Sequence, residues 1–440
     1  MASTEYPRPA HKTFSIYWVL AGSLIGWLPM IFHANYLLEF FYFNNEWDML
    51  HDMELQGFFN WVFAFRAELF FPVSKFLWAG LVFAGNGDYH VLIFAVFLNH
   101  MLILFLLGYL MRLWGFGLLA TLFVQCVLGA NYTHIEILTW TSQWIGLIAL
   151  TSLLVIIIPF ANAYLNDKKL SWKFCVLIFI VSALGALSFG RGVLNGFVLL
   201  GTCLLLFVLK DSSRKHTWLP AIYAVIPCAL VAFVIAAWSF SRTANLADSG
   251  SQVDAIISWF AYSISLNPWY QQIRGLQISV GLSVMLFALN FAVIVVGILL
   301  ANPKQRPFLY LLILFFLGDA ALLALGRNHL PIETVPSWRY QYFSILVFAP
   351  FVGIILHRIV QFIPLQPVRI IISVVALLLV TKWVFDPWAR FLPSWSDSRG
   401  TQTKLLLESD ELDLKAHNIY GFPKITNDRA LELQEKYNLH

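Results

Sequence analysis

The sequence predicts an all-α, polytopic integral membrane protein with about eleven transmembrane helices. Three observations predict it. Of 440 residues, 59% are apolar and only 12% charged, where soluble domains run to about 45–50% apolar. Mean hydropathy is +0.73. Many windows of about 20 residues contain no charge, which is enough to cross a hydrocarbon layer about 30 Å thick. These runs are continuous, whereas the strands of a membrane β-barrel would alternate.

The spans fall at 14–34, 89–111, 115–131, 141–160, 174–189, 192–209, 218–239, 276–301, 308–325, 341–356 and 370–386. The opening MASTEYPRPAHK leads straight into the first run, so that run is expected to stay as an anchor rather than be cleaved. Between the first two spans, GFFNWVFAFRAELFFPVSKFLWAGLVF (57–83) is apolar but carries Arg66, Glu68 and Lys75. It reads as one or two interfacial helices. Residues 1–387 therefore form one transmembrane domain, with a first external loop at 35–88, and 388–440 a short external tail.

Orientation follows from the basic residues. With the N-terminus inside, thirteen Lys and Arg lie in short inside connections, and seven are spread over much longer outside loops. That asymmetry is the positive-inside pattern. The net charge of +4 is scattered over short loops and gives no nucleic-acid surface. Cys126, Cys175, Cys203 and Cys228 all sit within apolar runs and read as small hydrophobes, with no metal or disulfide spacing.

The unusual polar clusters gather on the outside. NNEWDMLHDMEL (44–55) holds Glu46, Asp48, Asp52 and Glu54. Asp48 and Asp52 are four apart, so a helix places them on one face. A carboxylate there can serve as general base toward an acceptor hydroxyl, or the pair can hold a divalent cation such as Mg or Mn. Solvated loop acids are the plainer reading. Arg191, Arg242, Arg274, Arg327 and Arg339 stand beside external helix ends. Their planar forks suit phosphate oxygens, although single arginines there also snorkel to headgroups. NYTHIEILTW (131–140) supplies His134, Glu136 and Trp140, and GRNHLPIETVPSWRY (326–340) supplies His329 and Tyr340. The two prolines of the latter make it a structured loop. Channels and transporters more often carry ionisable groups within their spans.

In this order of features the sequence resembles the GT-C superfamily of polytopic glycosyltransferases, closest to its O-antigen glucosyltransferase and O-mannosyltransferase branch. The resemblance rests on the acids of the first external loop and on YHVLIFAVFLNHMLILFLLGYL (89–110), with Tyr89, His90, Asn99 and His100. It also rests on NYTHIEILTW, and on the late Arg339–Tyr340 pair in SWRYQYF. It covers about a third of the chain, residues 35–145 and 335–357, and the adjacent acid pair of the family is replaced by EWD and HD.

The resemblance implies a polyprenyl-phosphate-linked sugar as donor and a glycan, lipid or protein as acceptor, with inversion at the anomeric carbon. It implies a catalytic carboxylate among Glu46, Asp48 and Asp52. The external arginines would hold the donor phosphate, and His134, Glu136, Trp140, His329 and Tyr340 would line the substrate. The expected setting is a bacterial inner membrane with the active face and the C-terminus in the periplasm. Two other readings compete: an O-antigen polymerase or ligase, whose large loop would come later in the chain, and a lipid or sugar flippase.

Overall fold

The computed structural model describes residues 16–43, 45–66, 69–211, 215–243, 249–273, 276–401 and 427–439. Among them every regular element is helical, and the sole extended pairing is the isolated bridge Arg66↔Leu69. Helix α1 is Ile16–Phe32, α2 Asn45–Gln56, α3 Pro72–Ala84, α4 Tyr89–Leu113, α5 Leu118–Gly129 and α6 Ile135–Thr139. There follow α7 Trp144–Leu165, α8 Trp172–Ala186, α9 Leu194–Val208, α10 Trp218–Thr243 and α11 Ser249–Leu266. The last six are α12 Val280–Leu300, α13 Arg306–Arg327, α14 Trp338–Gln361, α15 Gln366–Phe385, α16 Pro387–Ser396 and α17 Asn427–Tyr437.

Each of the eleven expected spans coincides with a helix. Eight are long and apolar enough to cross a membrane, and a ninth is the pair around α5, bent by 49° where Tyr132–Thr139 begins. The bend has a local cause: the Asn131 side chain accepts from Thr133 N at 3.1 Å, starting a new turn in place of the next helical bond. Helices α1 and α8 are shorter than a full-width span. α8 still runs from one end of the bundle to the other. It begins where the 22-residue α7 ends, and just beyond its far end Leu187 O and Ser188 O accept from Val73 N and Ser74 Oγ of the first loop.

The first loop contains helices, as expected for 57–83: a short Phe58–Phe63 and α3, separated by the Arg66↔Leu69 bridge. Loop 240–275, read from the sequence as a loop, instead holds the 18-residue α11. Its buried positions Trp259, Ser263 and Leu266 recur at helical spacing, and Trp259 packs with Ala324 of α13 and with Val335. The segment expected as an external tail is packed on the body. Trp388 Nε1 donates to Ala130 O at 2.9 Å, and Phe391 stacks on Tyr132 with centroids 5.2 Å apart.

Candidate active site

The acidic stretch forms α2, and its four carboxylates meet four different environments. Glu46 is fully buried. Its Oε2 accepts from Phe43 N at 2.7 Å, and its Oε1 from Tyr89 Oη at 3.2 Å, Ser142 N at 3.0 Å and the Thr141 hydroxyl. Burial pushes its carboxyl up to about 7, and the four donors offset only part of that. Glu46 thus pins the start of α2 to α4 and to the segment after α6.

Asp48 is 5% exposed, and its Oδ2 lies 3.0 Å from Arg66 Nη2. Arg66 is itself fixed by donating to Asn45 O at 3.1 Å and Asn45 Oδ1 at 3.3 Å. Asp52, one turn on, is half-buried, and its charge together with that of Asp48 acts on Arg66. The same-face reading of the two aspartates therefore holds. Lys75 of α3 completes this patch. It donates to Trp61 O and Ala64 O at 2.7 Å each, with Nζ 5.2 Å from the Trp61 and Phe71 rings. Burial, with Arg66 nearby, brings its ammonium down to about 8. Glu54 belongs to another contact, accepting from Tyr437 Oη at 3.0 Å and pairing with Lys436 of α17, which holds it below the usual carboxylate range. His51 Nδ1 accepts from Arg429 Nε at 3.1 Å.

The arginines divide. Arg191, in the turn before α9, pairs with Asp319 of α13 and lies 3.8 Å above the Phe343 ring and 5.6 Å from that of Tyr340. Arg339, the second residue of α14, has Cζ 5.2 Å from the Tyr340 ring and Nη1 4.0 Å from Glu136 Oε1. Two arginines thus converge on Tyr340 from different elements. Arg327 ends α13 half-buried and His329 is exposed in the following turn. Neither side chain makes a hydrogen bond or ion pair among the described residues. The side chain of Arg242 and the whole of Arg274 lie outside the described residues.

The residues of 131–140 also separate. Glu136 faces Arg339, and Trp140 packs edge-on against Phe43 at 5.6 Å. His134 turns inward: it is fully buried, with its ring 4.4 Å from Tyr342 and 6.0 Å from His100. His100 Nδ1 lies 2.8 Å from Tyr342 Oη, so these three form a polar knot inside the bundle.

Four participants escaped sequence reading. Arg66 and Lys75 were visible only as interruptions of an apolar run. Asp319 stands alone within FFLGDAALL, and an isolated carboxylate inside a span was signal enough to single it out. Arg399, in the turn Asp397–Thr401, places its Cζ 4.4 Å from the Phe43 ring, 5.7 Å from Trp140 and 3.7 Å from Trp395.

These contacts close into a ring at one end of the bundle. Asp48 pairs with Arg66, Arg66 is bridged to Leu69, and the Leu69 side chain stands where a Cβ on Gly190, beside Arg191, would meet it. Arg191 reaches Tyr340, and its neighbour Arg339 meets Glu136. Trp140 N donates to Glu136 O, Trp140 packs on Phe43, and Phe43 N binds Glu46 on the helix where the ring began. Carboxylates on one arc and guanidiniums on the other thus share one rim, a charge distribution suited to a substrate that both loses a proton and releases an anion. Among the described residues no group of three or more His, Cys, Asp or Glu is placed to hold a metal ion. Asp48 and Asp52 alone fall short of such a set, and Asp48 is engaged by Arg66.

The sequence matches no protein-family model and no curated protein. Two solved structures of the Archaeoglobus fulgidus oligosaccharyltransferase are similar to the chain. One is in complex with Zn and sulfate, at 15% identity and a TM-score of 0.47, covering 93% of this chain and 57% of that one. The other, tethered through a disulfide to an acceptor peptide containing the NVT sequon, is at 14% identity and a TM-score of 0.47, covering 94% and 60%. The chain thus spans less than two thirds of the length of either.

Proposed function

We propose that this protein is a membrane glycosyltransferase of GT-C type. It transfers a sugar from a polyprenyl-phosphate-linked donor to a glycan, lipid or protein acceptor, with inversion, at the face that carries α2. The observation that carries this reading is the closed rim joining Asp48 on α2 to Arg339 on α14. In a bacterial inner membrane that face would be periplasmic, as the loop charges indicate.

Asp48 is the base in this reading. Its carboxylate takes the proton of the acceptor hydroxyl as that oxygen attacks the anomeric carbon. The bond from the anomeric carbon to the phosphate oxygen breaks, and its electron pair leaves with the lipid phosphate. Arg66 fixes the orientation of Asp48, and Asp52, one turn on, is the second candidate for the base. Glu46 serves as anchor, since all its contacts are internal donors.

Arg339 receives the phosphate. Its contact with Glu136 is loose at 4.0 Å and its side chain is 30% exposed, whereas Arg191 is tightly paired with Asp319 and positions Tyr340. Arg327 and the arginines at 242 and 274 are second candidates for that phosphate. Glu136, Trp140 and Tyr340 line the substrate, His329 reaches it from the turn before α14, and His134 supports them from behind. No step requires a metal, and a chelator arm tests for one.

One observation favours transport instead: the Arg191–Asp319 pair lies among the spans, where transporters keep such groups. The test is release of radiolabelled sugar from a panel of synthetic polyprenyl-phosphate donors, by wild type, Asp48→Asn and Asp52→Asn, with and without EDTA. Turnover lost in one variant identifies the base. Wild-type turnover in both variants overturns the reading, and no turnover of any donor turns it toward transport.

A further inference from the structure

At the opposite end of the bundle from α2 lies a cavity of about 280 Å³ that the proposed reaction does not use. It opens where α4, α12 and α14 end and α5 and α13 begin. The 25 residues of α4 put it roughly 37 Å from the Tyr89 end at 1.5 Å per residue. Arg112, Arg358 and His357 line it, with the amides of Asn302, Gln305 and Gln361. None of its described lining residues is acidic.

The surrounding hydrogen bonds hold these donors in place. Arg358 donates to Leu300 O at 3.1 Å, Asn302 Oδ1 at 2.9 Å and Gln361 Oε1 at 3.2 Å, all uncharged acceptors, so these bonds leave its charge unneutralised. Gln305 Nε2 covers Gly115 O at 2.9 Å, and Arg112 covers Phe116 O, so the helix-end carbonyls at the cavity wall are already satisfied. Gly117 has no side chain because a Cβ there would stand 2.4 Å from the His357 ring. Snorkelling alone explains basic residues at this level of a membrane protein, but it does not require a hollow between them.

From this geometry we propose that the cavity is a binding site for a phosphate ester. It is far larger than a water site of about 10–15 Å³ and just below the roughly 300–1,000 Å³ of drug-sized pockets. That size fits one phosphate with a small polar substituent. Two sources share this chemistry: the headgroup of an anionic phospholipid of the inner leaflet, which basic pockets between spans take up, and a small soluble phosphate ester.

The test uses the full chain in phosphatidylcholine nanodiscs. Thermal unfolding is followed as phosphatidylglycerol replaces phosphatidylcholine, and separately as inorganic phosphate is added. Wild type should show a saturable rise in Tm, because a ligand that binds only the folded state stabilises it. The Arg112→Gln/Arg358→Gln protein should bind at least tenfold more weakly. A rise with phosphatidylglycerol alone assigns a lipid headgroup, and a rise with inorganic phosphate assigns a soluble ester. An equal rise in wild type and variant, or none in wild type with either ligand, overturns the site. Where the double variant does not fold, native mass spectrometry of detergent-washed wild type decides. Retention of one phosphatidylglycerol, or a phosphate-dependent shift, supports the site, and the absence of both overturns it.

Discussion

Helix α2 and helix α15 invert the usual relation between polarity and burial. α2 reads NEWDMLHDMELQ and buries Glu46, Trp47, Asp48, Met49, Leu50 and Met53. α15 reads QPVRIIISVVALLLVTKWVF and buries only Val384. In water the second would be a core helix and the first a surface one. Here lipid surrounds the bundle, so apolar side chains lose nothing by facing outward. Carboxylates are buried where other chain segments supply donors. In this protein a buried charge therefore marks where chain segments converge, and an exposed hydrophobe marks the lipid-facing surface.

The contrast can be broken by substitution, beginning with the largest effect. Asp48→Asn should lower sugar transfer by about 10³-fold while Tm stays near wild type, since a general base contributes about 10²–10⁴-fold. Transfer kinetics beside a thermal melt check both halves. Glu46→Ala should do the reverse. It strands the donors of Phe43, Tyr89, Thr141 and Ser142, and should cost about 3 kcal/mol of stability, read from thermal or denaturant unfolding.

The same carboxyl sets a pH dependence. Its folded value is raised from 4.5 to about 7, so between those values the folded state holds more proton than the unfolded. Stability should then be full below about 4.5 and fall as pH rises toward 7, by about 3 kcal/mol in total. Glu46→Gln should flatten that slope in melts taken from pH 4.5 to 7.5. Arg339→Gln should lower kcat by about 10²-fold, the scale of losing one donor to a developing anion. The smallest effect belongs to α15: Leu378→Ala, at a lipid-facing position, should leave Tm and turnover within error, because such changes stay within about 0.5 kcal/mol.

Much of the fold was legible because hydrocarbon thickness imposes a length on every span, and each expected run found its helix. The interfacial helices of the first loop were legible for a related reason, since Arg66 and Lys75 break a run that could otherwise cross. α11 was missed because its apolar residues are interspersed with Ser, Gln and Asp, and its partners lie on α13 and in the loop beyond it. In the site, the helical face of Asp48 and Asp52 followed from spacing, and the placing of Glu136 and Arg339–Tyr340 on one side of the membrane followed from their order, whereas the contact of Glu136 with Arg339 came only with the fold. Asp319 stands out alone within its span, but its pairing with Arg191, 128 residues away, and the arrival of Arg399 at Phe43 leave no local mark in the sequence. Glu46 and Asp48 looked alike there, and only tertiary donors distinguish anchor from candidate base.

The docking of α17 on α2, through Lys436 and Tyr437 to Glu54, also constrains topology by parity. Two segments in contact outside the bilayer lie on the same side of it, so the chain between them traverses the membrane an even number of times. The nine long or bent spans after α2 make an odd total. The fifteen-residue α8 supplies the tenth, in keeping with its contact with the first loop. A reporter joined behind α17 and a label placed on the first loop must therefore give the same sidedness, whichever way the whole molecule faces.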